Sequence, residues 1–213
     1  MKGFATLKAV LSSRSRQQTL SAKLNRLSLW LGRLVIAFNN LEYALAYEVT
    51  YELIELMGQE ESKAKHPLGL ISPTQRRISD SGLNDMVMAS MSFGQKLDLL
   101  VALSLKKFPG PTKQEKHIRL IAAALSEAEE YRNKMLHSVW TEDFADYSQV
   151  KARTKGRKGL KIQKANTNIP HIQEAIKAIN MLGDLGLFAM THEAIVDETD
   201  EGLFRMSKVF QKS

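Results

Sequence analysis

The stretch LNRLSLWLGRLVIAFNNLEYALAYEVTYELIELM, residues 24–57, decides the fold. Its apolar side chains recur at Leu31, Leu34, Phe38, Leu41, Leu45, Val49, Leu53 and Leu56, always three or four positions apart. That is the period of one face of an α-helix, and a face this wide has to be buried against other helices. The spacing predicts a long amphipathic helix, with a bend expected near Gly32.

On its C-terminal side, residues 58–85 hold Gly, Pro, Ser and scattered charge without a period, and read as a loop with a short helical turn. Ser92 followed by Gln95 forms a capping-box pattern that opens a second helix, whose buried stripe is Phe93, Leu97, Leu100, Val101 and Leu105. Pro109-Gly110-Pro111 ends it. Thr112 and Glu115 repeat the capping pattern, and the helix they open runs through Ile118, Ile121, Leu125 and Ala128 to about His137. Beyond Trp140 the period changes. Gln149 to Arg153 and Leu160 to Lys164 alternate apolar and charged residues around Lys155-Gly156-Arg157-Lys158-Gly159, which reads as a β-hairpin. A last helix begins near Pro170 and turns Ile172, Ile176, Ile179, Leu182, Leu185 and Met190 inward, before an acidic segment from Glu193 to Glu201. The fold class expected is all-α: an antiparallel bundle of four to five helices with a small basic β-hairpin inserted before the last long helix. One domain is expected over residues 1–213, with its core at about 24–190 and with 1–20 and 193–213 peripheral.

Composition narrows the function classes. The chain has no cysteine, which excludes disulfides, thiolate nucleophiles and thiolate metal sites, and suits a reducing, cytoplasmic setting. No uncharged run exceeds about ten residues, half of what a membrane span needs, so no membrane partner is expected. The net charge of +7 is concentrated at one end: residues 1–41 carry Lys2, Lys8, Arg14, Arg16, Lys23, Arg26 and Arg33 and no acid, while the rest of the chain balances. Such a start can be a targeting peptide, but its apolar pattern runs unbroken into the long helix and is read here as part of the fold. An excess of positive charge favours a polyanionic partner.

Two charges fall where carbon is expected. On a projection of the 112–137 helix, Ile118, Ile121, Leu125, Ala128 and Leu136 lie within about 40° of Arg132. On the long helix, Glu42 lies inside the apolar face, about 40° from Phe38 and 60° from Leu45. An ion taken from water without a partner costs several kcal/mol. Two readings follow: a buried Glu42–Arg132 pair that only aligns two helices, or a Glu42 that supports a functional Arg132.

Arg132 is followed by Asn133, three further residues and His137, close to a helix end. RNA cleavage by attack of a ribose 2′-OH on the adjacent phosphate uses these residue types. Histidine titrates near neutral pH and can act as base or acid, and a guanidinium stabilises the extra negative charge of a pentacoordinate phosphate. No metal or other cofactor is needed for that chemistry. The reaction wants both a base and an acid, so a two-fold dimer that brings two such sites together would complete it.

Arg132-Asn133-Lys134-Met135-Leu136-His137 resembles the Arg-Asn-x-x-x-His signature of HEPN domains. The resemblance implies an all-α bundle that dimerises with its Arg/His pairs facing a shared basic cleft. It also implies metal-independent ribonuclease activity of the toxin-antitoxin, abortive-infection or RNA-processing kind, with an antitoxin or regulatory protein as a further partner. An acid on an earlier long helix often supports the motif, and Glu42 in Asn39-Asn40-Leu41-Glu42-Tyr43 fits that place. The resemblance covers about residues 24–190. The catalytic set it implies is Arg132, His137, Asn133 and Glu42. In a subclass paired with a nucleotidyltransferase antitoxin a tyrosine stands two positions after the histidine; Val139 stands there in this chain.

Lys134 beside the motif, and the hairpin's Lys151, Arg153, Lys155, Arg157, Lys158 and Lys161 with no acid between them, are candidate RNA contacts or else a solvated loop. His66, His117, His171 and His192 show no metal-ligand spacing and read as surface or capping residues. Trp30, Phe38, Tyr43 and Tyr47, at helical spacing, read as core.

Overall fold

A computed structural model describes residues 2–63, 82–110, 112–139, 150–156, 159–165, 169–192 and 208–210, with side chains for 18, 21–56, 82–110, 112–137, 169–192 and 208–210. Helix α1 spans Lys2–Lys63, α2 Leu83–Ser90, α3 Phe93–Lys107, α4 Lys113–Leu136 and α5 Ile169–Met181. One π turn, Leu182–Gly186, joins α5 to α6, Leu187–Thr191. Between α4 and α5 the described backbone is extended: β1 Ser138–Val139 and β2 Val150–Gly156 pair antiparallel, as do β2 and β3 Gly159–Ala165, with Gly156 opposite Gly159. The helical part is all-α.

Helix α1 packs against each of the other helices, which is why its apolar face is so wide. Leu34, Phe38, Leu41, Leu45 and Val49 are buried against Phe93, Leu97 and Leu100 of α3, Ile118, Ile121 and Leu125 of α4, and Ile172 and Ile179 of α5, in one cluster. The expected helix over 24–57 is longer at both ends, and Gly32 lies inside its unbroken run. Of the expected loop at 58–85, residues 58–63 are helical and 83–85 open α2, while 64–81 lie outside the described residues.

The Ser92 capping box is complete: Gln95 donates its backbone N–H to Ser92 Oγ at 3.3 Å, and the Ser92 N–H donates to Gln95 Oε1 at 2.8 Å. Ser92→Ala is expected to cost about 1 kcal/mol, read as a lower urea midpoint with an unchanged slope. At Thr112 only half of the expected box forms. Glu115 gives its backbone N–H to Thr112 Oγ1, but its carboxylate accepts from Arg119 one turn on.

The last helix departs from its expected face. A π turn carries one residue more than an α turn, so every later position is rotated by about 100°. Leu185, expected inward, is exposed, and Gly186 and Leu187 take its place, while Met190 is buried as expected. Gly186 fits because a Cβ there would stand 3.3 Å from the Leu182 side chain and 3.5 Å from Ile121.

Beside this core α1 carries a polar cluster. Lys107 of α3 donates to Glu52 and Glu55, each at 3.1 Å, and Thr191 donates to Glu48 at 3.5 Å. Burial would lower the Lys107 ammonium, but its hydrogen bonds to Glu55 and Glu52 carry it above the usual lysine value. Burial pushes the Glu48 carboxyl up, against the pull of His192, and Glu52 adds to the rise. A raised carboxyl holds its proton better in the folded state, so its contribution is present below the ordinary carboxyl value and is lost as pH rises through the folded one. Glu48→Gln is therefore expected to raise the melting temperature at pH 7.5 and to leave it unchanged in acid. The gain is below about 1 kcal/mol because the group is half in water.

Candidate active site at the end of helix α4

Helix α4 ends at Leu136, with His137 as its C-cap residue, its N–H donated to the Asn133 carbonyl at 2.9 Å. The deepest line of α4 runs through His117, Ile121, Ala124, Ala128, Tyr131 and Met135. Arg132 lies one step beside that line and is half-buried rather than central. His117, expected at the surface, is buried. His171 is half-buried, its ring edge-on to Tyr131 with centroids 5.5 Å apart. His192 stacks on Phe188 at 3.9 Å.

The Arg132 guanidinium sits over the Phe38 ring of α1, its Cζ 4.8 Å from the ring centroid. Such a cation–π contact contributes about 0.5–2 kcal/mol, more as water is excluded. Nη1 donates to Asn133 Oδ1 at 2.7 Å, while the buried Nε has no hydrogen-bond partner among the described residues. Among the described residues no carboxylate forms a salt bridge with it. An orphaned buried donor costs about 1–3 kcal/mol, which an anion oxygen or a water at that place would relieve.

Glu42 does not hold Arg132. Its Oε1 accepts from Lys96 Nζ of α3 at 2.7 Å, and that ammonium is 0% exposed, with the Met88 carbonyl as a second acceptor at 3.4 Å. The expectation that Glu42 required a partner holds, and the partner is a lysine on a different helix. A fully buried ammonium outcompetes for the carboxylate because its own desolvation is the larger cost to offset. The acid near Arg132 is Glu129, one turn earlier on α4. Burial raises its carboxyl, Arg132 opposes the rise, and Glu42 and Glu130 add to it. Sequence reasoning missed Glu129, although three residues before Arg132 is a facing position on a helix.

The structure thus joins Arg132 to Asn133 by a side-chain bond, and Asn133 to His137 by a backbone bond. It does not bond the His137 imidazole to either. Five residues turn a helix by about 140° and advance it about 7.5 Å, so Arg132 and His137 leave α4 in different directions, the first against α1 and the second into solvent. Lys134 is half-buried; the side chains of Lys151, Arg153, Lys155, Arg157, Lys158 and Lys161 lie outside the described residues.

Comparison with protein-family models, with curated proteins and with solved structures gives no match. The chemistry of the site therefore carries the functional reading alone. Among the described residues no three of His, Asp and Glu are grouped to hold a metal ion, and no helix is long and apolar enough to cross a membrane.

Proposed function

We propose that the chain is a metal-independent endoribonuclease of HEPN type that cleaves single-stranded RNA, acting as a cytoplasmic homodimer in a toxin, abortive-infection or RNA-processing role. In this reading one domain, a bundle of four to five helices with a basic β-hairpin before the last long helix, holds RNA on Lys134, Lys151, Arg153, Lys155, Arg157, Lys158 and Lys161. His137 of one protomer takes the proton of a ribose 2′-OH. The 2′-oxygen forms a bond to the adjacent phosphorus, the bond from phosphorus to the 5′-oxygen breaks, and a second acid, the partner's copy of the same histidine, protonates the leaving oxygen. The products carry a 2′,3′-cyclic phosphate and a 5′-hydroxyl. Arg132 neutralises the charge that grows on the phosphoryl oxygens, Asn133 orients Arg132, and Glu42 acts at one remove by fixing α1, whose Phe38 seats the guanidinium.

The single observation that carries this reading is Arg132 itself: a half-buried guanidinium over an aromatic ring, bound to an amide oxygen, with no carboxylate among the described residues neutralising it in a salt bridge. A cation kept so is poised for an anion. The divergence of Arg132 and His137 within one protomer favours a second reading, a non-catalytic dimeric RNA- or nucleotide-binding or protein-interaction module. Incubation of purified protein with single-stranded RNA in excess EDTA separates them. Cyclic-phosphate products that vanish in His137→Ala support the nuclease, and RNA retention without cutting supports the module.

A further inference from the structure

Tyr43 and Tyr47, expected in the core, are each 56% exposed, with Ile36 at 61%, on a second apolar face of α1. At the edge of that face a cavity of about 290 Å³ opens between α1 and the end of α5 with its π turn. Ala37 and Ala44 of α1 and Gly183 of the π turn give it a floor of small residues, and Asn40, Asn180 and Asp184, all exposed, stand at its rim. Gly183 brings the π turn close to α1, since a Cβ there would already touch the Leu41 side chain at 3.6 Å. Turns of this kind are rare and recur at functional sites, and this one supplies both Gly183 and Asp184. An apolar floor with a few polar groups is how ligand sites are built, and the volume lies at the small end of their range of about 300–1,000 Å³, which suits one planar ring system.

The rim groups choose among such rings. An asparagine amide donates and accepts, so Asn40 and Asn180 fit many edges, whereas the carboxylate of Asp184 only accepts. Of the four RNA bases, guanine alone offers a carboxylate two adjacent donors, its N1–H and its 2-amino group. In adenine and cytosine the amino donor stands beside an unprotonated ring nitrogen, and in uracil N3–H stands between two carbonyl oxygens, so each turns a lone pair toward the carboxylate. Arg33 lies one turn before Ala37 on the same face of α1, and Lys177 one turn before Asn180; both are exposed, as cations that meet the phosphates beside a bound base must be. The rings of Tyr43 and Tyr47 offer stacking faces to neighbouring bases.

We propose that this cavity holds one guanine base of the bound RNA, with Asp184 accepting from N1–H and the 2-amino group and a rim amide donating to O6. The assignment rests on RNA being the ligand and gives it a sequence preference. Phe38, which seats Arg132, leaves α1 about 100° round from Ala37, so the guanine belongs to a nucleotide some way along the strand from the phosphate at Arg132. Calorimetric titration of the full chain with each of the four nucleoside monophosphates tests it. Guanosine monophosphate is expected to bind at least about tenfold more tightly than the other three. Asp184→Asn should lose that preference and favour xanthosine monophosphate, whose 2-oxo group accepts from the introduced amide where the 2-amino group donated. Ala44→Leu fills the floor and keeps the rim, and should abolish guanosine monophosphate binding while the helical circular dichroism stays constant. Equal binding of the four nucleotides, a guanine preference that survives Asp184→Asn, or full affinity in Ala44→Leu would each overturn the assignment. The binding readout needs no cleavage: a protein that prefers guanosine monophosphate but cuts nothing keeps this site and loses the nuclease, and one that cuts but binds the four nucleotides alike keeps the nuclease and loses this site.

Discussion

Glu42→Ala is expected to destabilise the protein by about 3–5 kcal/mol, and Lys96→Ala by clearly less, about 2 kcal/mol. The two belong to one ion pair, but its partners are unequally placed. Lys96 is 0% exposed and Glu42 is 23% exposed. Removing the carboxylate leaves an ammonium with no water and one carbonyl at 3.4 Å. Removing the lysine leaves a carboxylate that solvent already reaches, and the vacated space admits more. The paired change Glu42→Leu with Lys96→Met keeps the volume and removes both charges, and is expected to return to within about 1 kcal/mol of wild type. Urea unfolding of the four proteins at pH 7 measures these differences. A Glu42→Ala loss as small as that of a surface substitution, below about 0.5 kcal/mol, would show that the pair does not hold α1 to α3.

This pair also marks how far the sequence could be read. Glu42 stood out because a carboxylate interrupted a stripe of carbon, and burial without a partner is costly; that inference needed only the helix period. Lys96 did not stand out. A lysine at the edge of a stripe is commonly a stem lying on apolar surface with its head in water, and the period cannot say that a third helix closes over it. The same limit explains Tyr43 and Tyr47. Their spacing is helical, but α1 has two apolar faces, and which of them meets the core depends on where the other helices lie. Helix starts at Ser92 and Thr112 were legible because capping is local chemistry. The π turn at Leu182–Gly186 was not, since nothing in Leu-Gly-Asp-Leu-Gly demands an extra residue, and the tight surroundings of Gly186, where a Cβ would stand 3.5 Å from Ile121, exist only once the helices are packed. At the candidate site the end of α4 near His137 was legible in the helix period, but projection put Arg132 at the centre of the stripe, and it lies half-buried beside the deepest line. The ring beneath Arg132 was not legible.

If the nuclease reading holds, Arg132→Ala is expected to lower kcat by about 10²–10³-fold with little change in KM. The side chain would touch phosphate in both states, but the charge it meets is larger in the transition state, so the loss falls on the chemical step. Arg132→Lys is expected to rescue little of it. The Phe38 face accepts a flat delocalised cation, Nη1 is spent on Asn133 Oδ1, and the remaining donors work only as a fixed fork; a lysine ammonium has none of these three properties. Asn133→Ala frees the guanidinium to turn over the ring and should cost about tenfold, an orientation effect rather than a lost charge. Phe38→Leu separates seat from chemistry: it retains an apolar core residue but loses the ring, so a fall in kcat larger than the fall in stability predicts would assign the ring a positioning role. An Arg132→Lys protein as active as wild type would mean that the guanidinium geometry is incidental, and the preorganised cation on which the nuclease reading depends would no longer distinguish this site from any basic helix end.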